Sequence, residues 1–489
     1  MIITLISLTK TYNFMRPLLT TSLILLISTL SAWAKVELPS IFSDNMVLQQ
    51  QTSAAFWGKA RPNSKIVITS TWSKAKTIAV ADNDGKWSTQ VDTPTAGGPY
   101  EITFNDGEKV TLKNILIGEV WVCAGQSNMA QPMKGYMGQP TAQAAEYITE
   151  ARPETPIRSC NLENHLSLTV QKDCPAKWYT HDPVGVSEAS AVAYFFAQKI
   201  YRQLRVPVGI INVSWGGTPI EAWMNPEVLK SKFSDEVNIK HLYNMQLPET
   251  DPQEAAGVLY NGMLHSVIPF TAKGFLWYQG CHNRCEHELY KKLQPAFVQM
   301  LREEWKNEDM PFYFTQVAPF KYEDPDARDT GYMMWAQAQT LEMIPNSGMA
   351  TTHDTGEFDC IHPSNKKAVG DRLAFLALTR DYGIEGFDAE APMPSEFIFK
   401  EGAALVTFKC GQMGLAPINI ELEGFELAGE DRIFYPAKAT IQDDQKSIKV
   451  TSPEVANPIA VRYGIKNWSK ATLFNNFGIP ASPFRSDNW

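Results

Sequence analysis

Hydrophobic and polar positions fall into three regimes along this chain. Over residues about 36–115 the apolar runs are short. Lys65-Ile-Val-Ile-Thr-Ser-Thr71 and Lys109-Val-Thr-Leu112 are examples, set apart by turn signals at Asn83-Asp84-Gly85, Ala96-Gly97-Gly98 and Asn105-Asp106-Gly107. Regular short strands joined by Asp-Gly turns predict a small β-sandwich-like domain. From about 116 to 385 strand patterns alternate with helical ones. Ile115–Val122, Val208–Val213, Gly274–Tyr278 and Phe312–Val317 read as strands. Ala189–Gln203, Tyr290–Trp305 and Asn365–Leu378 read as helices, the first with Ala191, Tyr194, Phe195 and Ile200 near helical spacing. Such alternation predicts a parallel α/β sheet with functional loops at the strand carboxyl ends. From about 390 onward the pattern is β again, at Ala404–Phe408, Ser447–Thr451 and Ile459–Tyr463. The expected division is 1–34 leader, 35–115 β domain, 116–388 α/β domain and 389–489 C-terminal β domain.

The leader changes the picture of where the protein works. Lys10 and Arg16 precede the apolar run Leu23–Leu30, and Ala32-Trp33-Ala34 places small residues where a signal peptidase cuts. A cleaved signal peptide, a mature start near Lys35 and a periplasmic or secreted protein are therefore expected, without stable membrane insertion after cleavage. With 489 residues, several domains are needed. The formal net charge of −9 offers no basic stripe for phosphates, so nucleic acid is not an expected partner. The seven cysteines (123, 160, 174, 281, 285, 360 and 410) are an odd number; Cys160 with Cys174 and Cys281 with Cys285 are the sequence-local pairing options.

The chemistry begins at Trp121-Val-Cys-Ala-Gly-Gln-Ser-Asn-Met129, where a strand stops at a glycine and presents a serine. Ser127 becomes a nucleophile once a base removes its proton. The base candidate is His362, in Asp359-Cys-Ile-His-Pro363 ahead of a helix. Asp359, three residues earlier, is the candidate to hold the imidazole in the right tautomer, with Asp354 a rival. Oxyanion donors are expected from the Ser127 N–H, the N–H of Gly216 or Gly217, and the side-chain amides of Gln279 or Asn283. Glycine allows close backbone approach, and amides donate without adding a charge that competes with the histidine. Cys281-His-Asn-Arg-Cys-Glu-His287 gathers soft ligands, but its spacing matches no common zinc finger. No metal and no cofactor are expected.

Several motifs in one order resemble the sialate O-acetylesterase family, within the SGNH hydrolase superfamily. They are Val120–Met129, Ser214-Trp-Gly-Gly-Thr-Pro-Ile-Glu-Ala-Trp-Met224, Leu259–Met263, Gly274–Gly280, Ile361-His-Pro-Ser-Asn-Lys366, Val369–Ala374 and Pro480–Trp489. The resemblance implies a three-layer α/β/α catalytic domain flanked by N- and C-terminal β modules. It implies a metal-free esterase that removes acetyl groups from sugar hydroxyls, with Ser127 as nucleophile and His362 as base. An O-acetylated sialic acid is the leading substrate; acetylated xylan or another polysaccharide is the near alternative. A non-catalytic glycan-binding protein on the same fold is the alternative of another class. Two departures stand out. Where the family usually reads Gln-Gly-Glu-Ser-Asn, this chain reads Gln279-Gly-Cys-His-Asn283, and where it often has Arg-Glu, this chain has Ala336-Gln337. The first removes a carboxylate that orients the histidine in some relatives, so either Asp359 supplies the third member, or His362 acts in a dyad, or activity is impaired; Asp359 is the favoured reading.

Overall fold

The computed structural model describes residues 35–489; the leader lies outside the described residues. One compact unit comprises residues 35–38, 57–89 and 102–111. In it Lys65–Ser70 pairs antiparallel with Lys76–Val80 and, through 67–70, with residues 102–105. Alternation along Lys65–Ser70 buries Ile66 and Ile68, and Trp87 packs beside Phe104 with ring centroids 5.8 Å apart.

The second unit comprises residues 39–56, 90–101 and 112–489. Its α/β part is built from strands β1 (Lys109–Gly125), β2 (Ile157–Leu162), β3 (Ala176–Tyr179), β4 (Val208–Ser214), β5 (Gly274–Tyr278), β6 (Phe312–Thr315) and β7 (Ser347–Ala350). They lie in the order β7-β6-β5-β1-β4-β2-β3, parallel throughout except for the antiparallel edge pair β2–β3. From β1 the chain fills one side of the sheet through β2, β3 and β4, then crosses to the other through β5, β6 and β7. The carboxyl end of β1, flanked by β4 and β5, is therefore the switch point where open α/β sheets form their crevice.

The helices that matter for the site are α1 (Ser127–Ala130), α2 (Ala191–Leu204), α3 (His287–Trp305), α4 (Asp329–Thr340) and α5 (Lys366–Arg380). Ser190 caps α2 by accepting from the Ala193 N–H, and Asn365 caps α5 by accepting from Ala368 N–H. The strand period of two sorts β5 by side. Leu276 and Tyr278 share a core cluster with Val192, Phe196 and Ile200 of α2 and Leu373 and Ala377 of α5. Phe275 and Trp277 instead meet Phe297 of α3, at 6.2 and 4.6 Å between ring centroids.

Residues 393–485 carry an antiparallel sheet of seven strands whose own core includes Val406, Leu427, Val450, Val461 and Phe484. Among the described residues no helix is long and apolar enough to cross a membrane. All seven cysteines are free thiols, so neither sequence-local pairing forms: Cys281 is buried, Cys285 exposed, and Cys160 and Cys174 are buried without a bond.

Candidate active site

Three loops meet at the switch point, and their backbone is stitched together before any side chain acts. At the end of β1, Gly125 has φ +140°, and a Cβ there would lie 2.2 Å from the Tyr278 carbonyl oxygen, so only glycine lets β1 and β5 close up at this point. The Gln126 N–H donates to that Tyr278 oxygen at 3.0 Å, and the Trp215 N–H donates to Gly125 O at 3.0 Å. The buried Gln126 side chain reaches further: its Oε1 accepts from the N–H groups of Gly280 and His282 at 3.1 and 3.4 Å. The Ser127 turn thus holds the β5 loop by two hydrogen bonds to one side chain.

Ser127 opens the short helix α1. Its Oγ lies 2.7 Å from His362 Nε2. On the other face of the ring, His362 Nδ1 meets Gln139 Oε1. An amide oxygen can only accept, so the imidazole carries its hydrogen on Nδ1 and leaves Nε2 free to accept the Ser127 proton. Burial, and then the Lys366 ammonium, push the His362 pKa down to about 4, so the base is uncharged at neutral pH. Tyr136 stands edge-on to the imidazole, ring centroids 5.3 Å apart, and its hydroxyl donates to Ser127 O at 3.1 Å. Burial raises its pKa to about 12, which keeps that donor protonated.

The structure corrects the expectation for Asp359. Its side chain is 78% exposed and its carboxylate pairs with Lys321 at 2.5 Å. Asp354 is also committed elsewhere, in a two-pronged pair with Arg372 at 2.7 and 2.6 Å. Gln139 takes the place expected of an acid. It sits in a tight hairpin in which Tyr136 and Gln139 exchange backbone hydrogen bonds at 3.0 Å, and Gln131 Nε2 holds the Gln139 carbonyl at 3.1 Å.

The expected oxyanion donors divide into two kinds. The N–H groups of Ser127, Gly216 and Gly217 have no backbone partner among the described residues. A Cβ at Gly216 would come within 3.1 Å of the Ser127 Cβ, which places this loop against Ser127, and a Cβ at Gly217, with φ +72°, would meet nothing within 4 Å. Asn283 is 1% exposed; its Oδ1 accepts from Ile220 N–H and its Nδ2 gives one hydrogen to Glu221 at 3.0 Å, leaving the second. Gln279 is different and corrects the sequence expectation. It is fully buried and spends its amide hydrogens on Thr218 O at 3.1 Å and Asn283 Oδ1 at 2.8 Å, so it orients the donors rather than being one. Beneath Asn283, burial drives the Glu221 pKa up despite that hydrogen bond.

The two family departures also have places. Cys281 is buried with its thiol on Tyr322, and burial raises its pKa, so it is no thiolate substitute for a carboxylate on the histidine. Gln337 is fully buried; its Oε1 accepts from Val317 N–H at 2.8 Å and its Nε2 donates to Gln279 O at 3.0 Å, so it braces the β5 loop. The cysteines and histidines of 281–287 scatter: His282 faces Glu254 at 3.6 Å and His287 lies by Tyr332. No group of three or more metal-ligating side chains converges among the described residues.

A serine on a histidine, with a hydrogen-bond acceptor behind the ring and unspent N–H donors beside the hydroxyl, is the equipment of an ester hydrolase. The family model for carbohydrate esterases described as sialic acid-specific acetylesterase matches residues 117–379, and the chain belongs to that family. It is a carbohydrate O-acetylesterase. Over 490 residues it is 27% identical to sialate O-acetylesterase of Homo sapiens, covering 91% of each chain. The Mus musculus sialate O-acetylesterase is 25% identical, with 91% of this chain and 93% of the relative covered. The solved structure of a carbohydrate acetylesterase from Xanthomonas citri is 31% identical and superimposes with a TM-score of 0.84, covering 93% of this chain and all of the other.

Proposed function

We propose that the esterase works through an acetyl-serine intermediate on Ser127, with His362 as its general base and acid. The observation that carries this is the 2.7 Å contact between Ser127 Oγ and His362 Nε2, with the other ring nitrogen already donating to Gln139. As Oγ attacks the acetyl carbonyl, its proton passes to Nε2 and the carbonyl oxygen gains negative charge. The N–H groups of Ser127 and Gly217 and the second Asn283 hydrogen receive that oxygen. Collapse breaks the carbonyl–sugar oxygen bond, and His362 returns the proton to the leaving sugar hydroxyl. Water then repeats the sequence, with His362 taking its proton, to give acetate and free Ser127.

An O-acetylated sialic acid is the substrate this reading places first, because the family model and the mammalian relatives carry that specificity in their names. Acetylated xylan calls for the same chemistry and a different pocket. The fold reading goes with it: a three-layer α/β/α SGNH domain with β modules, supported by the opposite packing of Leu276 and Phe275 in β5. Acetate release from a panel of acetylated sialic acids and xylans tests the substrate. Ser127→Ala assayed with an aryl acetate tests the mechanism; undiminished turnover would remove Ser127 from it.

A further inference from the structure

Lys366 is a buried lysine that the acyl-transfer steps above do not use. It is 1% exposed and is the first residue of α5, where the helix's own partial positive charge disfavours a cation. Among the described residues no carboxylate lies within ion-pairing distance of its Nζ. The ionisable groups that face it are the His362 imidazole, the thiols of Cys360 and Cys281 and the Glu357 carboxylate, whose Oε1 is occupied by the Ser364 N–H and hydroxyl at 2.7 and 2.6 Å. Burial lowers its pKa to about 7 against the weaker pull of those groups.

Among the described residues the Lys366 ammonium makes one hydrogen bond, and that bond explains its presence. Nζ donates to Asn128 Oδ1 at 2.5 Å, and Asn128 Nδ2 donates to the Ile361 carbonyl at 3.1 Å. Asn128 follows Ser127 in sequence, and Ile361 precedes His362. By fixing which end of the Asn128 amide points where, Lys366 fixes a strap between the immediate neighbours of the two reacting residues. We infer that Lys366 is a positioning residue: through Asn128 it sets the spacing of Ser127 and His362. Its ammonium also adds to burial in opposing a proton on the imidazole. This rests on the reading of Ser127 and His362 as the reacting pair.

Charge and strap make separable predictions on an aryl acetate. Lys366→Met in the full chain should lower kcat about 10- to 100-fold with KM within about 3-fold, since misplacement of a reacting pair costs rate rather than binding. The acid limb of kcat/KM should move to higher pH, because the cation that opposes His362 protonation is gone. Lys366→Gln keeps a donor without the charge; it should recover much of the lost kcat while the acid limb stays displaced. Asn128→Ala should lower kcat and leave the acid limb near its wild-type position. The Asn128→Ala/Lys366→Met double variant should be little worse than the poorer single, as expected of residues in one network. If Lys366→Met does not fold, the Gln and Asn128 variants carry the same readouts. An unmoved acid limb in the Lys366 variants, or full kcat in Lys366→Met or Asn128→Ala, would overturn the inference. Failure of the underlying reading looks different: turnover by Ser127→Ala.

Discussion

Gln139 accepts a hydrogen bond from His362 Nδ1 in the place where serine hydrolases commonly set a carboxylate. A neutral acceptor fixes the tautomer as well as an acid does, but it adds no negative charge to stabilise the imidazolium that forms during acyl transfer. Gln139→Ala should therefore reduce kcat about 10- to 100-fold, with KM little changed. Gln139→Glu should restore orientation and add charge, moving the acid limb of kcat/KM upward from the region of pH 4 set by His362. Steady-state pH profiles of the two variants distinguish orientation from charge.

Asp359→Asn should leave kcat/KM within about 2-fold of wild type. The carboxylate is exposed and its partner is Lys321, so its loss should cost at most about 1 kcal/mol of stability. A drop of 100-fold or more would restore Asp359 to the histidine and remove Gln139 from it.

Asn283→Ala and Gln279→Ala should fail in different ways. Loss of the Asn283 amide should cost about 100-fold in kcat, the effect of removing one oxyanion donor, besides the stability lost with its bonds to Ile220, Gln279 and Glu221. Gln279→Ala leaves the buried Thr218 O without a donor and Asn283 Oδ1 with only the Ile220 N–H, which should cost about 1–3 kcal/mol of stability. Urea unfolding beside kinetics separates the two.

Acid should weaken the fold over a defined window. His353 is fully enclosed, with Nε2 2.7 Å from Ser469 Oγ, and burial lowers its pKa to about 4; His362 shares that value. Both bind protons near pH 6.5 when unfolded and only near 4 when folded. Between these values the unfolded chain holds more protons, so stability is full above about 6.5 and falls as pH drops toward 4. Denaturant midpoints across pH 4–8 should show this slope, and His353→Gln should flatten it.

The sequence made the chemistry's centre legible because strand ends and glycine turns are local signals. β5 falls at the predicted Gly274–Tyr278, and Ser127 and His362 come together, one after a strand and the other before a helix, with Gly216 against Ser127. What it concealed depends on tertiary contacts. Ile157-Arg-Ser-Cys-Asn-Leu162 has no strand alternation because five of its six residues are buried. The helix Asp329–Thr340 hides its period for a similar reason: residues from Thr330 to Thr340 are buried on several sides. Gln139 carried no signal at all, since an amide in a Gly-Gln-Pro turn is ordinary turn chemistry. Asn128 and Lys366 lay inside motifs already noticed, yet nothing in spacing shows that they touch across 238 residues.

The hairpin that supplies Gln139 is a surface element, and Met137 at its tip is wholly exposed. Ser127 and the Gly216 loop grow from neighbouring strands of one sheet, whereas Gln139, behind the His362 ring, is delivered by a loop open to solvent. Changes in that loop would therefore alter the strength of the base while the sheet-borne machinery stays as it is. In such a design, reactivity can drift between relatives through surface substitutions alone, at little cost to the core.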